Sequence, residues 1–265
     1  MLILLLSWPL FVQAAPKAEL WPVWQAHDNR NQAVIDHADW NAFLQMAVKP
    51  SADGINRVAY GKVSAADKAK LENYLLKMQS LRIGQYSQAE QRAYWINLYN
   101  ATTVKTILDH YPVESITQIN ISPGLFARGP WGKKQLKVEG VELALDDIEH
   151  RILRPLWKDP RTHYAVNCAS LGCPNLATQA YTSANMEALL DAGARAYVNH
   201  PRGATISNGK LIVSSIYVWF KDDFGGDDAG VIAHLKKYAE PKLAAQLAGI
   251  SRISDDHYDW TLNQR

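Results

Sequence analysis

One stretch of the chain decides the fold, residues 87–111, which read SQAEQRAYWINLYNATTVKTILDHY. Ser87 followed by Glu90 forms a capping box, in which two side chains satisfy free backbone N–H groups at a helix start. The residues after the cap are apolar on nearly every face, a pattern typical of a buried helix. Pro112 then ends the helix, because a proline ring clashes with the preceding turn. The stretch therefore predicts a long buried helix that forms the axis of the fold.

Two asparagines lie inside this predicted helix. Asn97 and Asn100 are three residues apart and so share a helix face. Buried carboxamides need hydrogen-bond partners, and one interpretation is that they hold adjoining loops through backbone groups. The other interpretation is that they bind a ligand, by orienting a substrate amide or a catalytic side chain.

The rest of the chain combines helical patterns with short strand patterns. Helices are predicted at residues 35–47, 64–81, 144–157, 183–198, 228–238 and 241–248. Strands are predicted at 116–121 and 258–263, with hairpins at 135–143 and 205–213. Together they predict an α+β fold whose central helix packs with other helices on a small antiparallel sheet. No repeat or compositional break is present, so residues 16–265 are predicted to form a single domain.

The N-terminus predicts export. Residues 2–12 are an apolar run too short to span a bilayer, and Val12-Gln-Ala14 is a small-x-small pattern that a signal peptidase recognises. Residues 1–15 are therefore predicted to be a signal peptide, and the mature protein to be periplasmic or secreted. No later segment has transmembrane length, so no membrane contact is expected after cleavage.

Composition restricts the partners. The formal net charge is +2, and no run of basic residues is longer than two, which argues against nucleic acid. Nine tryptophans and twelve tyrosines indicate a well-filled core or an aromatic-walled groove. The expected partner is a small-molecule or peptide substrate, and no cofactor is predicted.

Both cysteines lie in one short loop, residues 163–176, which read HYAVNCASLGCPNL. Pro174 suits the first position of a helix, which would place Cys173 at the N-cap, where free N–H groups and the helix dipole favour a thiolate. The alternative is a disulfide between Cys168 and Cys173, because closely spaced cysteine pairs in exported proteins are usually bonded.

Two function classes follow from this loop. In the first, an acyl-transfer enzyme hydrolyses an amide, ester or peptide bond. Cys173 or, second, Cys168 is its nucleophile, His163 or His150 the general base, and Glu149 orients the base. In a strand, His163 and Cys168 would point to opposite faces, which favours Cys173. Asp222 or Asp223 could also orient a histidine, or could be solvated or cap the following turn.

The second class is a non-enzymatic binding or scaffold protein with a Cys168–Cys173 disulfide. Arg161, Asn167 and aromatic walls would then hold the ligand. A third interpretation is a zinc site formed by the two cysteines with His163 and His150, since thiolates and imidazoles suit zinc. The spacing of the cysteines is wider than in most structural zinc sites, so no metal is predicted.

Several motifs together resemble one known family. They are YWINLYN (94–100), LDDIEHRILR (145–154), DPRTHYAVNC (159–168), GCP (172–174), WFKDDFGG (219–226) and YDW (258–260). They resemble the domain of unknown function 547, DUF547, over nearly the whole mature chain. The resemblance implies a fold similar to papain-like or transglutaminase-like cysteine hydrolases. Those enzymes carry the nucleophile at the start of the long central helix, whereas here that helix holds Asn97 and Asn100 and no cysteine.

Overall fold

The computed structural model describes residues 16–124 and 127–265, so the predicted signal peptide lies outside the described residues. The helices are α1 (Ala38–Ala47), α2 (Ala65–Gln79), α3 (Gln88–His110), α4 (Leu145–Asp147), α5 (Arg154–Trp157), α6 (Thr162–Ala165), α7 (Met186–Val198), α8 (Ser215–Trp219), α9 (Asp228–Tyr238) and α10 (Pro241–Leu247). The strands are β1 (Val48–Pro50), β2 (Asn56–Val58), β3 (Leu136–Val138), β4 (Val141–Leu143), β5 (Ala204–Ser207), β6 (Lys210–Ser214) and β7 (Ile253–His257).

The central helix α3 forms as predicted. The Ser87 side chain accepts a hydrogen bond from the backbone N–H of Glu90, which satisfies one free donor at the helix start. Side chains are buried on every face between Glu90 and Val104, so other elements surround the helix. Helix α2 is one of its neighbours, and so is the segment that follows α4.

The sheets are small, and the α+β prediction is confirmed. Strands β1 and β2 pair antiparallel, as do β3 and β4. The third sheet has the order β5-β6-β7, in which β5 and β6 form the predicted Asn208-Gly209 hairpin while β7 runs parallel to β6. The expectation of one antiparallel sheet is therefore corrected to three small sheets, one of them mixed.

Two predicted strands are absent from the described residues. Residues 116–121 include a 3-10 helix at Ile116–Gln118, because the Ser115 side chain accepts a hydrogen bond from the N–H of Thr117 and starts a turn. Strand β7 ends before the predicted strand at 258–263, where only a bridge between Leu262 and Ser170 forms. No helix within residues 16–124 or 127–265 is long and apolar enough to cross a lipid bilayer.

The buried side chains fall into two apolar clusters. The larger surrounds α3 and includes Trp40, Tyr94 and Trp95. The smaller lies around α7 and α9 and includes Tyr197, Tyr217 and Phe224. Helix α6 lies between them, because Ala165 belongs to the first cluster and Tyr164 to the second.

Candidate functional site

A π-helix between α4 and α5 carries two of the predicted site residues. It spans Ile148–Leu153, and the N–H of Arg154 bonds the carbonyl of Glu149, five residues back. The next residue is Pro155, which has no N–H for the Arg151 carbonyl. The carbonyls of His150 and Arg151 instead accept N–H groups of Glu19 and Trp21 in the N-terminal arm, at 3.0 and 3.2 Å. π-Helical turns are rare and frequently occur at functional sites.

His163 lies at the centre of a buried polar cluster. Its ring is on α6 and is 3% exposed. Nε2 lies 2.7 Å from Asp223 Oδ2, and Nδ1 lies 3.8 Å from Glu149 Oε1. The ring stacks on Phe220, with centroids 4.3 Å apart. Burial lowers the pKa of His163, although the hydrogen bond and charge of Asp223 act in the opposite direction. The lowered pKa favours a neutral ring.

Asp223 orients this histidine. The sequence had left two alternatives open for Asp223, and the more expected one was that it is solvated or caps the following turn. It lies in the 3-10 helix Lys221–Phe224 after α8, and its Oδ2 also accepts from Arg154 Nε at 2.6 Å. Burial raises the pKa of Asp223, but hydrogen bonds from His163 and Arg154 outweigh it and bring that pKa to about 2. The carboxylate can therefore only accept, so His163 Nε2 carries the ring proton. Asp222 is exposed.

Glu149 faces the other side of the His163 ring. The residue is 8% exposed, and burial is the main reason why its pKa rises to about 7, against the opposing charge of Arg154. A hydrogen bond from Tyr99, on the central helix, also opposes this rise. Glu149 can therefore gain or lose a proton near neutral pH, as a general acid or base requires.

His150 belongs to the same cluster but has a different environment. Its Nδ1 lies 3.0 Å from Arg154 Nη1 and accepts a hydrogen bond from it. Burial and the charge of Arg154 lower the pKa of His150 to about 3. This histidine is therefore neutral, with one ring nitrogen already used by Arg154.

The two cysteines are paired with each other at disulfide distance, with Cα atoms 6.2 Å apart. Cys173 is buried and Cys168 is half-buried. No helix begins at Pro174, so the predicted N-cap position of Cys173 is wrong. The loop instead runs against the C-terminal segment, where Gly172 N–H donates to the Asp259 carbonyl at 2.8 Å. His163 lies on α6 rather than on a strand, so the strand argument about its orientation does not apply.

Tyr258 links the cysteine loop to the histidine cluster. Its hydroxyl lies 2.9 Å from Cys168 Sγ and 2.9 Å from Ser170 Oγ. The Glu149 carboxylate is close enough to add to the rise in the pKa of this phenol, whose main cause is burial. The phenol thus contacts the cysteine loop directly, and the charge of Glu149 acts on it as a minor influence.

The four predicted ligand-binding residues bond other protein groups. Asn97 exchanges hydrogen bonds with the backbone of Tyr181. Asn100 donates to the Ala165 carbonyl and accepts from Asn167 N–H, both at 2.8 Å. Asn167 donates to the Pro174 carbonyl, and Arg161 forms ion pairs with Asp159, Glu187 and Asp191. The carboxamides thus brace the cysteine loop and a neighbouring loop, and their role as ligand contacts stays a prediction.

Half-buried aromatic side chains adjoin Tyr258. The ring of Trp260 lies 4.6 Å from Tyr258 and 5.8 Å from Trp219, and Trp131 stands edge-on to Trp260 at 5.6 Å, measured between centroids. We call these four residues the aromatic wall. Two open depressions, of about 530 and 710 Å³, lie elsewhere, one beside Arg82 and Lys137 and the other beside Asp28 and Arg30. No candidate site residue lines either depression.

The structure brings Glu149 together with both His150 and His163, the two alternatives for the general base, and their catalytic roles stay a prediction. Asp223 is 60 residues away from its partner His163 in the chain, and the acidic Asp222-Asp223 pair was its only sequence signal. Sequence reasoning missed Arg154, Tyr99 and Tyr258 as site residues. In the described part of the chain, no group of three or more His, Cys, Asp or Glu side chains could hold a metal ion.

Fold and site together define an α+β protein with a buried acid–base cluster beside a cysteine loop. Residues 83–198 match the family model described as "Protein of unknown function, DUF547", which confirms the predicted resemblance. The match covers less than half of the chain, and the motifs at 219–226 and 258–260 lie outside it. Neither a curated protein nor a solved structure matched the chain.

Proposed function

We propose that the protein is an exported hydrolase that cleaves an acyl bond, an amide, ester or peptide linkage, in a small-molecule or peptide substrate. Glu149 acts as general base and then general acid, and His163, held by Asp223, adjusts the charge beside it. The observation that carries this proposal is the position of His163 between two carboxyl groups, 2.7 Å from Asp223 and 3.8 Å from Glu149. Export to the periplasm or the medium rests on the pattern of residues 1–15.

The chemistry follows from the protonation states. Asp223 fixes the proton of His163 on Nε2, so the lone pair of Nδ1 faces Glu149. Glu149 titrates near neutral pH and can remove a proton from a water molecule that attacks the substrate carbonyl. It then returns this proton to the leaving group, and the Nδ1 lone pair of His163 favours the protonated form of Glu149 over the ionised form.

The state of the cysteines supports water as the attacking group. A sulfur in a disulfide has no thiolate to offer, so nucleophilic attack by Cys173 or Cys168 would require the bond to be reduced first. The Cys168–Cys173 pair instead serves the resting protein by shaping the loop beside the site. The papain-like or transglutaminase-like fold relationship stays part of this proposal.

The test is hydrolysis of a panel of 4-nitrophenyl esters and peptide anilides by the purified mature chain without reductant. Glu149→Gln should lower kcat/KM by about 100-fold or more, the usual contribution of a general base. Asp222→Asn, which changes an exposed neighbour of the cluster, should leave kcat/KM unchanged. The wild-type kcat/KM should rise with pH through about 7, as Glu149 ionises. Equal turnover by wild type and Glu149→Gln would contradict the proposal, and turnover only after reduction would favour a cysteine nucleophile.

A second candidate function is a non-enzymatic binding protein. The aromatic wall and the bonded cysteines favour it, because a fixed loop beside half-buried aromatic rings suits a rigid ligand site. If the protein only binds, a peptide or small molecule should quench its tryptophan fluorescence and should not be hydrolysed. Trp260→Ala should abolish the quenching, whereas Glu149→Gln should preserve it.

A further inference from the structure

The environments of the two cysteine sulfurs differ, and both contain hydrogen-bond donors. Cys168 is half-buried, and its Sγ lies 2.9 Å from the Tyr258 hydroxyl and 3.3 Å from the Ser170 hydroxyl. Cys173 is buried, and its Sγ accepts the backbone N–H of Cys168 at 2.9 Å. A sulfur in a disulfide is only a weak acceptor, whereas a thiolate is strongly stabilised by such donors. These donors thus suit a thiolate on either sulfur once the bond is reduced.

The loop keeps its shape through contacts other than the disulfide. The buried carboxamide of Asn167 donates a hydrogen bond to the Pro174 carbonyl and accepts one from the Ala169 N–H. Leu171 and Gly172 donate to the carbonyls of Thr261 and Asp259, each at 2.8 Å. Closing so short a loop contributes only about 2 kcal/mol in the chain-entropy model. The bond can therefore open while the surrounding structure stays folded.

We propose that Cys168 and Cys173 form a redox-active pair that exchanges with an exported dithiol reductant. This activity goes beyond the hydrolysis proposed above and uses none of its acid–base groups. Cys168 Sγ is the sulfur attacked, because it is the more exposed of the two. Cys173 is the leaving group, because the Cys168 N–H already points at its sulfur.

The exchange has two balanced steps. A thiolate of the dithiol attacks Cys168 Sγ, a mixed disulfide forms, and the electron pair of the broken bond goes to Cys173, which leaves as a thiolate. The second thiolate of the reductant then attacks its own sulfur in the mixed disulfide and releases Cys168 as a thiolate. The protein pair gains two electrons, and the dithiol becomes a disulfide. Burial raises the pKa of Tyr258 well above 10, so its hydroxyl stays protonated and can donate to the Cys168 thiolate.

The first experiment measures the thiol pKa of Cys168 in Cys173→Ala, from thiolate absorbance at 240 nm against pH. An ordinary cysteine titrates at about 8.5, whereas donor-stabilised cysteines titrate between about 3.5 and 7.5. We expect the lower range, and Tyr258→Phe added to this variant should move the value back toward that of an ordinary cysteine. Tyr111→Phe is the matched control, because that hydroxyl bonds Gln264 and not the sulfur. A value of about 8.5 or above, or one that Tyr258→Phe leaves unchanged, would overturn the proposal.

The second experiment uses the wild-type chain and does not depend on a variant folding. Folded protein is equilibrated with millimolar dithiothreitol, both thiols are alkylated, and circular dichroism reports the fold. We expect complete reduction with an unchanged spectrum. In a second sample, treated with reduced glutathione instead and then alkylated, we expect the mixed disulfide on Cys168 rather than Cys173 in peptide mass spectra. A bond that opens only when the protein unfolds, or a mixed disulfide mainly on Cys173, contradicts the proposal.

Discussion

At the scale of single residues, Glu149 carries a stability cost that depends on pH. Burial raises its pKa from the ordinary 4.5 to about 7. Between these values the folded protein holds a proton that the unfolded chain has lost, so this group makes stability fall as pH rises. The cost is absent below pH 4.5, grows as pH rises, and is complete above about pH 7.

Glu149→Gln removes this pH dependence, because a carboxamide does not titrate. From pH 4.5 to pH 8 the free energy of unfolding of wild type should fall by about 2–3 kcal/mol relative to the variant. Urea denaturation at both pH values measures the difference, and other titrating groups cancel in the comparison. Glu142→Gln is the control at an exposed carboxyl and should show no such trend. Parallel pH profiles for wild type and Glu149→Gln would mean that Glu149 is not protonated at neutral pH.

For Asp223 we expect a loss of stability on substitution, because its carboxylate pairs with both His163 and Arg154. Asp223→Asn removes the negative charge that pairs with buried Arg154 and the acceptor that fixes His163 Nε2. Leaving Arg154 without its partner should cost about 3 kcal/mol or more, because an unpaired buried charge is strongly unfavourable. Thermal unfolding at neutral pH measures the loss. Asp222→Asn, at the exposed neighbour, should leave the melting temperature unchanged, and similar losses in the two variants would refute this account.

At the scale of elements, the central helix positions two loops through separate carboxamides. Asn97 holds the backbone of Tyr181, while Asn100 holds Ala165 and Asn167 at the entry to the cysteine loop. Asn97→Ala and Asn100→Ala should each cost about 2–4 kcal/mol, because each leaves a buried donor and a buried acceptor unpaired. Only Asn100→Ala should speed hydrogen exchange at the Asn167 N–H in the folded protein. Equal acceleration by both variants would show that the helix holds the two loops as one unit.

Local patterns predicted the elements whose hydrogen bonds are local. The Ser87–Glu90 cap and the apolar interior of α3 can be recognised from neighbouring residues alone. The same holds for the Asn208-Gly209 turn, whose residues have φ angles of 50° and 70°. The π-helix was not predicted, because the N–H groups of Glu19 and Trp21 that its carbonyls accept lie more than a hundred positions away and only Pro155 marks it locally. The pairing of His163 with Asp223 is likewise long-range. The close spacing of the cysteines left two interpretations open, a free Cys173 thiolate and a Cys168–Cys173 disulfide, and the structure has the second.

At the scale of the whole molecule, the C-terminal segment joins distant parts of the chain. Leu262 N–H donates to the Glu114 carbonyl, Asn263 N–H to Ala169, and the Asn263 carbonyl accepts from Val58 on β2. The same segment carries Tyr258 and Trp260 to the candidate site. The candidate site is therefore complete only when the C-terminal segment packs against the cysteine loop. The geometry of the site thus depends on contacts between residues far apart in the chain.

Gly172 makes this docking possible, because a side chain there has no room. A Cβ at Gly172 would lie 2.8 Å from Asp259 N and 2.9 Å from Asp259 O, both backbone atoms that cannot move alone. Gly172→Ala should therefore destabilise the protein by about 1–3 kcal/mol, the usual cost of overpacking, and expose Tyr258 to solvent. Gly249→Ala is the matched control, since no atom lies within 4 Å of a Cβ there. Urea denaturation, monitored by tryptophan fluorescence, measures the free energy of unfolding of both variants. Equal stability of Gly172→Ala and Gly249→Ala would show that the C-terminal segment packs loosely against the cysteine loop.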